Sequence, residues 1–66
     1  MNITVNGESR EVAANTSVEA LLRELGYHCE QVAVAVNTTF VPRTLRASHL
    51  LRDGDTLDVV APMEGG

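Results

Sequence analysis

Between Asn2 and Asn6 the chain alternates apolar and polar side chains at Ile3, Thr4 and Val5, and the Asn6-Gly7 pair that follows suits a two-residue turn with positive φ. The pattern predicts an opening β-hairpin. Its second strand, from about Glu8 to Val12, is polar apart from Val12, which assigns it to a sheet edge with Val12 as its strong core candidate. Thr16 and Glu19, three residues apart, have the form of a capping box and predict that a helix begins there. Val18, Leu21, Leu22 and Leu25 then recur on one helical face, Glu19 and Arg23 stand four apart on the solvated face, and Gly26 supplies a left-handed stop.

The run Val32-Ala33-Val34-Ala35-Val36 is apolar in both registers, the pattern of a strand at the centre of a sheet, with its valines turned to the helix and its alanines away. Asn37-Thr38-Thr39 reads as a turn into a short strand at Phe40 and Val41, which Pro42 confines to an edge or ends. From Thr44 to Arg52 the pattern is open: Leu45, Leu50 and Leu51 could pack beneath an irregular crossover or a single helical turn, and the segment is left unassigned. Asp53-Gly54-Asp55 is a second turn signal, and Leu57 and Val59 alternate with Thr56 and Asp58 in a last strand. The order of elements gives an α+β chain, a mixed sheet of four to five strands with one main helix on one face, which is the β-grasp architecture. Residues 1–61 are expected to form that domain, and 62–66 a flexible tail beginning at the strand-breaking Pro62.

Length narrows the function. A domain of 66 residues buries only about 60% of the surface its unfolded chain exposes, which argues against a deep catalytic cleft and directs attention to the surface and the chain ends. The net charge of −4 argues against nucleic acid and anionic membranes and for a protein partner with a basic surface. All five cations are arginine, so no lysine is present to form a Schiff base or accept an isopeptide bond. Cys29 is the only cysteine, which agrees with a reducing cytosol, and its role is left open between a packed thiol and a reactive one. With no signal peptide and no apolar run of membrane-spanning length, the chain is expected to be cytoplasmic. His28 and His49 are isolated, and Asp53, Asp55 and Asp58 fit solvated turn and strand positions better than a cation site, so no metal is expected.

That leaves Gly65-Gly66. No Ser/His/Asp set, metal-spaced cluster or phosphate-cradling loop competes with it. Lacking Cβ atoms, two glycines can thread a narrow channel to a buried active site. If a partner enzyme presents ATP there, the Gly66 carboxylate can attack the α-phosphate to form a mixed anhydride with AMP. A sulfur nucleophile can then displace AMP and leave a thiocarboxylate, ionised and nucleophilic as thiolates are. Met63, Glu64 and Gly65 would enter the channel with it. Ala33, Ala35 and Val60, turned away from the helix, are either scattered surface residues or a shallow apolar patch for docking the activating enzyme and the acceptor enzyme.

The opening Met1-Asn2-Ile3-Thr4-Val5-Asn6-Gly7-Glu8, the segment Val32 to Asn37, Val41-Pro42-Arg43, Leu51-Arg52-Asp53-Gly54-Asp55 and Gly65-Gly66 together resemble the ThiS family of sulfur carriers in thiamin thiazole biosynthesis. The resemblance runs end to end, although the family more often has a glycine-containing turn where this chain has Asn37-Thr38-Thr39. It implies a carrier and not an enzyme: adenylation of Gly66 by an E1-like ATP-dependent adenylyltransferase, sulfur drawn from cysteine through a cysteine desulfurase or another donor, and delivery to thiazole synthase. The chain itself is expected to hold no cofactor, ATP being used by the partner. The alternatives are the related sulfur carrier of molybdopterin synthesis, a ubiquitin-like protein modifier, and a plain interaction module.

Overall fold

Asn6 and Gly7 take φ values of 50° and 85°, the positive pair that a tight hairpin needs, and join β1 (Asn2–Val5) to β2 (Glu8–Glu11). The two strands pair antiparallel, from Asn2 opposite Glu11 to Val5 opposite Glu8. A computed structural model of the chain describes residues 1–61, which also contain β3 (Ala33–Val36), β4 (Thr39–Phe40) and β5 (Thr56–Val60). The sheet order is β2-β1-β5-β3-β4, with β1 parallel to β5 and every other neighbouring pair antiparallel. The helix α1 (Val18–Glu24) buries Val18, Leu21 and Leu22 against Ile3, Val5, Val34, Val36, Leu57 and Val59 of the sheet. This is the β-grasp arrangement that the order of elements predicts. Val12 is buried, and β2 lies at an edge.

The central strand, however, is β5 and not β3. Both are flanked on two sides, but the described residues leave the sheet face opposite the helix uncovered, so β5 keeps Thr56 and Asp58 exposed there and shows an alternating pattern. The doubly apolar run of β3 comes from small alanines on the open face, Ala33 exposed and Ala35 half-buried, and does not report central position.

The helix also starts one residue later than the Thr16 to Glu19 spacing suggests. Ser17 is the N-cap, in extended conformation at φ −82° and ψ 163°, and its hydroxyl accepts from the Ala20 amide at 3.0 Å. Thr16 instead donates its hydroxyl to the Ala13 carbonyl at 2.6 Å, and the Glu19 carboxylate pairs with Arg23 at 2.9 Å. The cause is tertiary. Residues 46–51 cross over the helix start, where the His49 carbonyl accepts from Val18 N–H, the Arg46 carbonyl from Glu19 N–H, and the Thr16 carbonyl from Leu51 N–H. With the Ser17 hydroxyl on Ala20 N–H, the His49 and Arg46 carbonyls satisfy the amides that a helix leaves open in its first turn. The helix closes as expected: Gly26 sits at φ 87°, its N–H reaches the Arg23 carbonyl, and Tyr27 N–H reaches that of Leu22.

In the stretch left open by the sequence, a 3₁₀ turn at Arg43–Leu45 is followed by this crossover. Of the three leucines that could pack beneath it, Leu51 is buried, while Leu45 and Leu50 are 52% and 50% exposed. The residue packed inward is Arg46, 3% exposed, whose guanidinium donates to the Val32 carbonyl at 2.6 Å and ties the crossover to the chain entering β3.

Candidate functional site

The described chain ends at Ala61, directly after β5, so the geometry that bears on residues 62–66 is the way β5 is held. Strand β3 accompanies it to the last residue, with Val34 opposite Val59 and Ala33 opposite Val60. On the other edge β1 stops pairing earlier, at Val5 opposite Leu57. Beyond that point the Asn6 side chain takes over. Its amide oxygen accepts from Val59 N–H at 2.8 Å, and its amide nitrogen donates to the Val59 carbonyl at 3.2 Å. A side-chain amide has the same donor and acceptor as a peptide unit, so Asn6 extends the ladder after its own backbone has turned away. At the start of β5 Asn37 acts from the opposite edge: its amide oxygen accepts from Thr56 N–H at 3.0 Å and its amide nitrogen donates to Asp55 at 2.9 Å. Both asparagines occupy left-handed turn positions, at φ 50° and 52°.

The uncovered face near the end of β5 is apolar. Register puts Ala33 beside Val60 and Ala35 beside Phe40 and Asp58, so Ala33, Ala35 and Val60 do come together. Phe40 and Val60 are 61% and 65% exposed. Sequence reasoning missed Phe40. The signal was present, since strand alternation places Phe40 outward wherever Val41 is inward, and Val41 is buried.

Other candidates resolve into structural roles. Asp55 accepts from Arg52 N–H at 2.8 Å, the turn chemistry expected of it, and Asp53 accepts from Asn2 N–H at 2.7 Å, tying the turn to the start of β1. Asp58 is exposed on β5, and the described residues bring no group of three or more His, Cys, Asp and Glu side chains together in a way that could hold a metal ion. His28 is exposed, and His49 contributes its carbonyl to the helix start. A groove of about 500 Å³ beside α1 gathers Glu19, Glu30, Arg23 and Arg43, charges of both signs, with Arg23 engaged by Glu19. Among the described residues no helix is long and apolar enough to cross a membrane. Met63, Glu64, Gly65 and Gly66 lie outside the described residues, as does the boundary at Pro62; the Cys29 thiol likewise lies outside what the structure describes.

Comparison with known proteins adds what the geometry alone does not. The model of the ThiS family matches residues 3–66. The sulfur carrier protein ThiS of Escherichia coli (strain K12) is 33% identical over 66 residues, all of both chains. A thiazole synthase of Paramagnetospirillum magneticum is 44% identical over 66 residues, and there the chain spans only 20% of the relative's length. The crystal structure of a thiamine biosynthesis protein (ThiS) from Geobacter metallireducens superposes with a TM-score of 0.85 at 33% identity, covering both chains fully.

Proposed function

The chain belongs to the ThiS family of sulfur carriers in thiamin biosynthesis, and on that premise we propose that it carries sulfur as a thiocarboxylate on Gly66. The observation that carries this reading is the reach of the family match, which runs through Gly65 to Gly66. An E1-like adenylyltransferase binds ATP, and the Gly66 carboxylate attacks its α-phosphate. Pyrophosphate leaves, and an acyl adenylate remains. A persulfide held on a cysteine desulfurase or another donor then displaces AMP, so that a C–S bond replaces the C–O bond to phosphate, and a thiol cleaves the S–S bond of that adduct, releasing the Gly66 thiocarboxylate and leaving a disulfide. In this scheme Met63, Glu64 and Gly65 lie in the enzyme's channel behind Gly66, and glycine suits positions 65 and 66 because a Cβ there would narrow the fit. The consumer is a thiazole synthase. The Paramagnetospirillum magneticum thiazole synthase contains a counterpart of this whole chain, which supports a carrier and a consumer that work as neighbours. The setting is the cytoplasm, where a single cysteine stays reduced.

The apolar corner of Ala33, Ala35, Phe40 and Val60 docks the activating enzyme. It adjoins the end of β5, so any enzyme that draws in the residues after Ala61 must approach this corner, and the chain's net charge of −4 fits an electropositive partner surface. Intact-protein mass after incubation with ATP, the activating enzyme and a sulfur donor tests the assignment of Gly66. Wild type should exchange one oxygen for sulfur. Deleting Gly66 shortens the reach by about 3.5 Å, and Gly65→Val thickens the chain; both variants should fold and stay unmodified. Thiocarboxylate on the deletion variant at the wild-type rate would sink the assignment.

A further inference from the structure

We propose that Asn6 is a positioning residue for sulfur loading: its side-chain amide locks the last turn-free stretch of β5 and thereby fixes where, and in which direction, the chain leaves the sheet toward Gly66. The inference rests on the reading of Gly66 as the loaded residue. Its ground is the mismatch between the two edges of β5. Strand β3 supports β5 as far as Val60, whereas β1 pairs no further than Leu57. The Asn6 N–H closes that backbone ladder on the Leu57 carbonyl at 2.9 Å. Val59, the next β5 residue facing that edge, would then depend on water for both its polar groups. Asn6 supplies both partners from 53 residues away in sequence, at 2.8 and 3.2 Å.

The turn alone does not explain this residue. A left-handed position before Gly7 accepts glycine or aspartate as well as asparagine, but only asparagine among the three offers a donor and an acceptor together. The clamp lies immediately upstream of Val60 and Ala61, the last described residues before the segment that must reach the nucleotide. A strand end free to swing on one edge would spread the approach of the carboxylate over many directions. Displacements on the order of 1 Å at a reacting group cost as much as about a hundredfold in rate. Docking through the apolar corner does not involve Asn6, so the expected effect falls on turnover and not on association.

The test compares N6G and N6D with wild type in the full chain, since both substitutions keep the left-handed turn. Two readouts are needed: amide exchange at Val59 and at Leu21, and kcat and KM for thiocarboxylate formation followed by intact mass. In N6G, exchange at Val59 should quicken by at least about tenfold, while Leu21, bonded to the Ser17 carbonyl in the helix, keeps its wild-type protection relative to it. The kcat should fall by about three- to tenfold with KM within about twofold. N6D, whose carboxylate still accepts from Val59 N–H, should fall between. Unchanged kcat in N6G, a rise in KM alone, or equal loss of protection at Val59 and Leu21 would each overturn the proposal. A wild-type chain that gains no sulfur fails the Gly66 reading and takes this inference with it; wild type and N6G loaded equally fast fail the inference alone.

Discussion

Thr38 has a φ of 71°, a left-handed conformation in which a β-branched side chain crowds its own backbone. Its neighbour Asn37, at 52°, is a residue type that tolerates this region, and it uses its side chain to bind Thr56 and Asp55. Thr38 has no such return. The strain persists because the hairpin fixes both ends, Val36 opposite Thr39 and Ala35 opposite Phe40. Replacing Thr38 by glycine removes a left-handed penalty of about 1–2 kcal/mol and adds an unfolded-state entropy cost of about 0.5–1 kcal/mol. Thr38→Gly should therefore raise stability by about 0.5–1 kcal/mol, seen as a higher urea midpoint at unchanged slope. Thr39→Gly, in a strand and without positive φ, should lower the midpoint. A Thr38→Gly protein less stable than wild type would show that the threonine has a stabilising contact outweighing its strain.

At the scale of the element, the helix start separates what local pattern can report from what it cannot. The apolar face of Val18, Leu21 and Leu22, the Glu19 to Arg23 pair and the Gly26 stop are all local consequences of helical spacing, and each forms as the sequence indicates. The N-cap does not follow from spacing, because Thr16 and Ser17 offer adjacent hydroxyls and the choice is made by residues 46–51 crossing above them. The same crossover explains the inversion at Arg46, Leu45 and Leu50. Hydropathy favours burying the leucines, yet the guanidinium reaches the Val32 carbonyl and its stem fills the space, a long-range fit with no sequence signature. The site divides in the same way: Ala33, Ala35 and Val60 follow from strand parity, whereas the Asn6 to Val59 bonds join residues 53 apart. Ser17→Ala should cost about 1 kcal/mol, as loss of a serine N-cap does. Thr16→Ala removes only an exposed bond to Ala13 and should stay within about 0.5 kcal/mol. Chemical denaturation of the two variants side by side is the measurement, and equal losses would return Thr16 to the capping role.

At the scale of the whole molecule, one helix covers one sheet face, and the described residues leave the other uncovered. The uncovered face is not uniformly apolar: Thr56 and Asp58 hold the middle of β5, and the exposed apolar surface collects at the corner formed by Phe40, Val60, Ala33 and Ala35. Phe40 stands on the short edge strand β4, outside the core cluster, so its truncation leaves the packing of the helix on the sheet untouched. If the activating enzyme closes over this corner, Phe40 is its largest anchor. Exposed aromatics that become buried at the middle of an interface contribute the most to binding. Phe40→Ala should then cost about 1–2 kcal/mol of association, a rise of about five- to thirtyfold in KM for thiocarboxylate formation, at nearly constant kcat. Because the chain carries a net charge of −4, added salt should slow association for wild type and Phe40→Ala alike, through the screened field of the whole molecule and not through the patch. Steady-state loading at low and high ionic strength measures both effects. A KM for Phe40→Ala within about twofold of wild type, in a protein with an unchanged melting transition, would remove this corner from the docking surface.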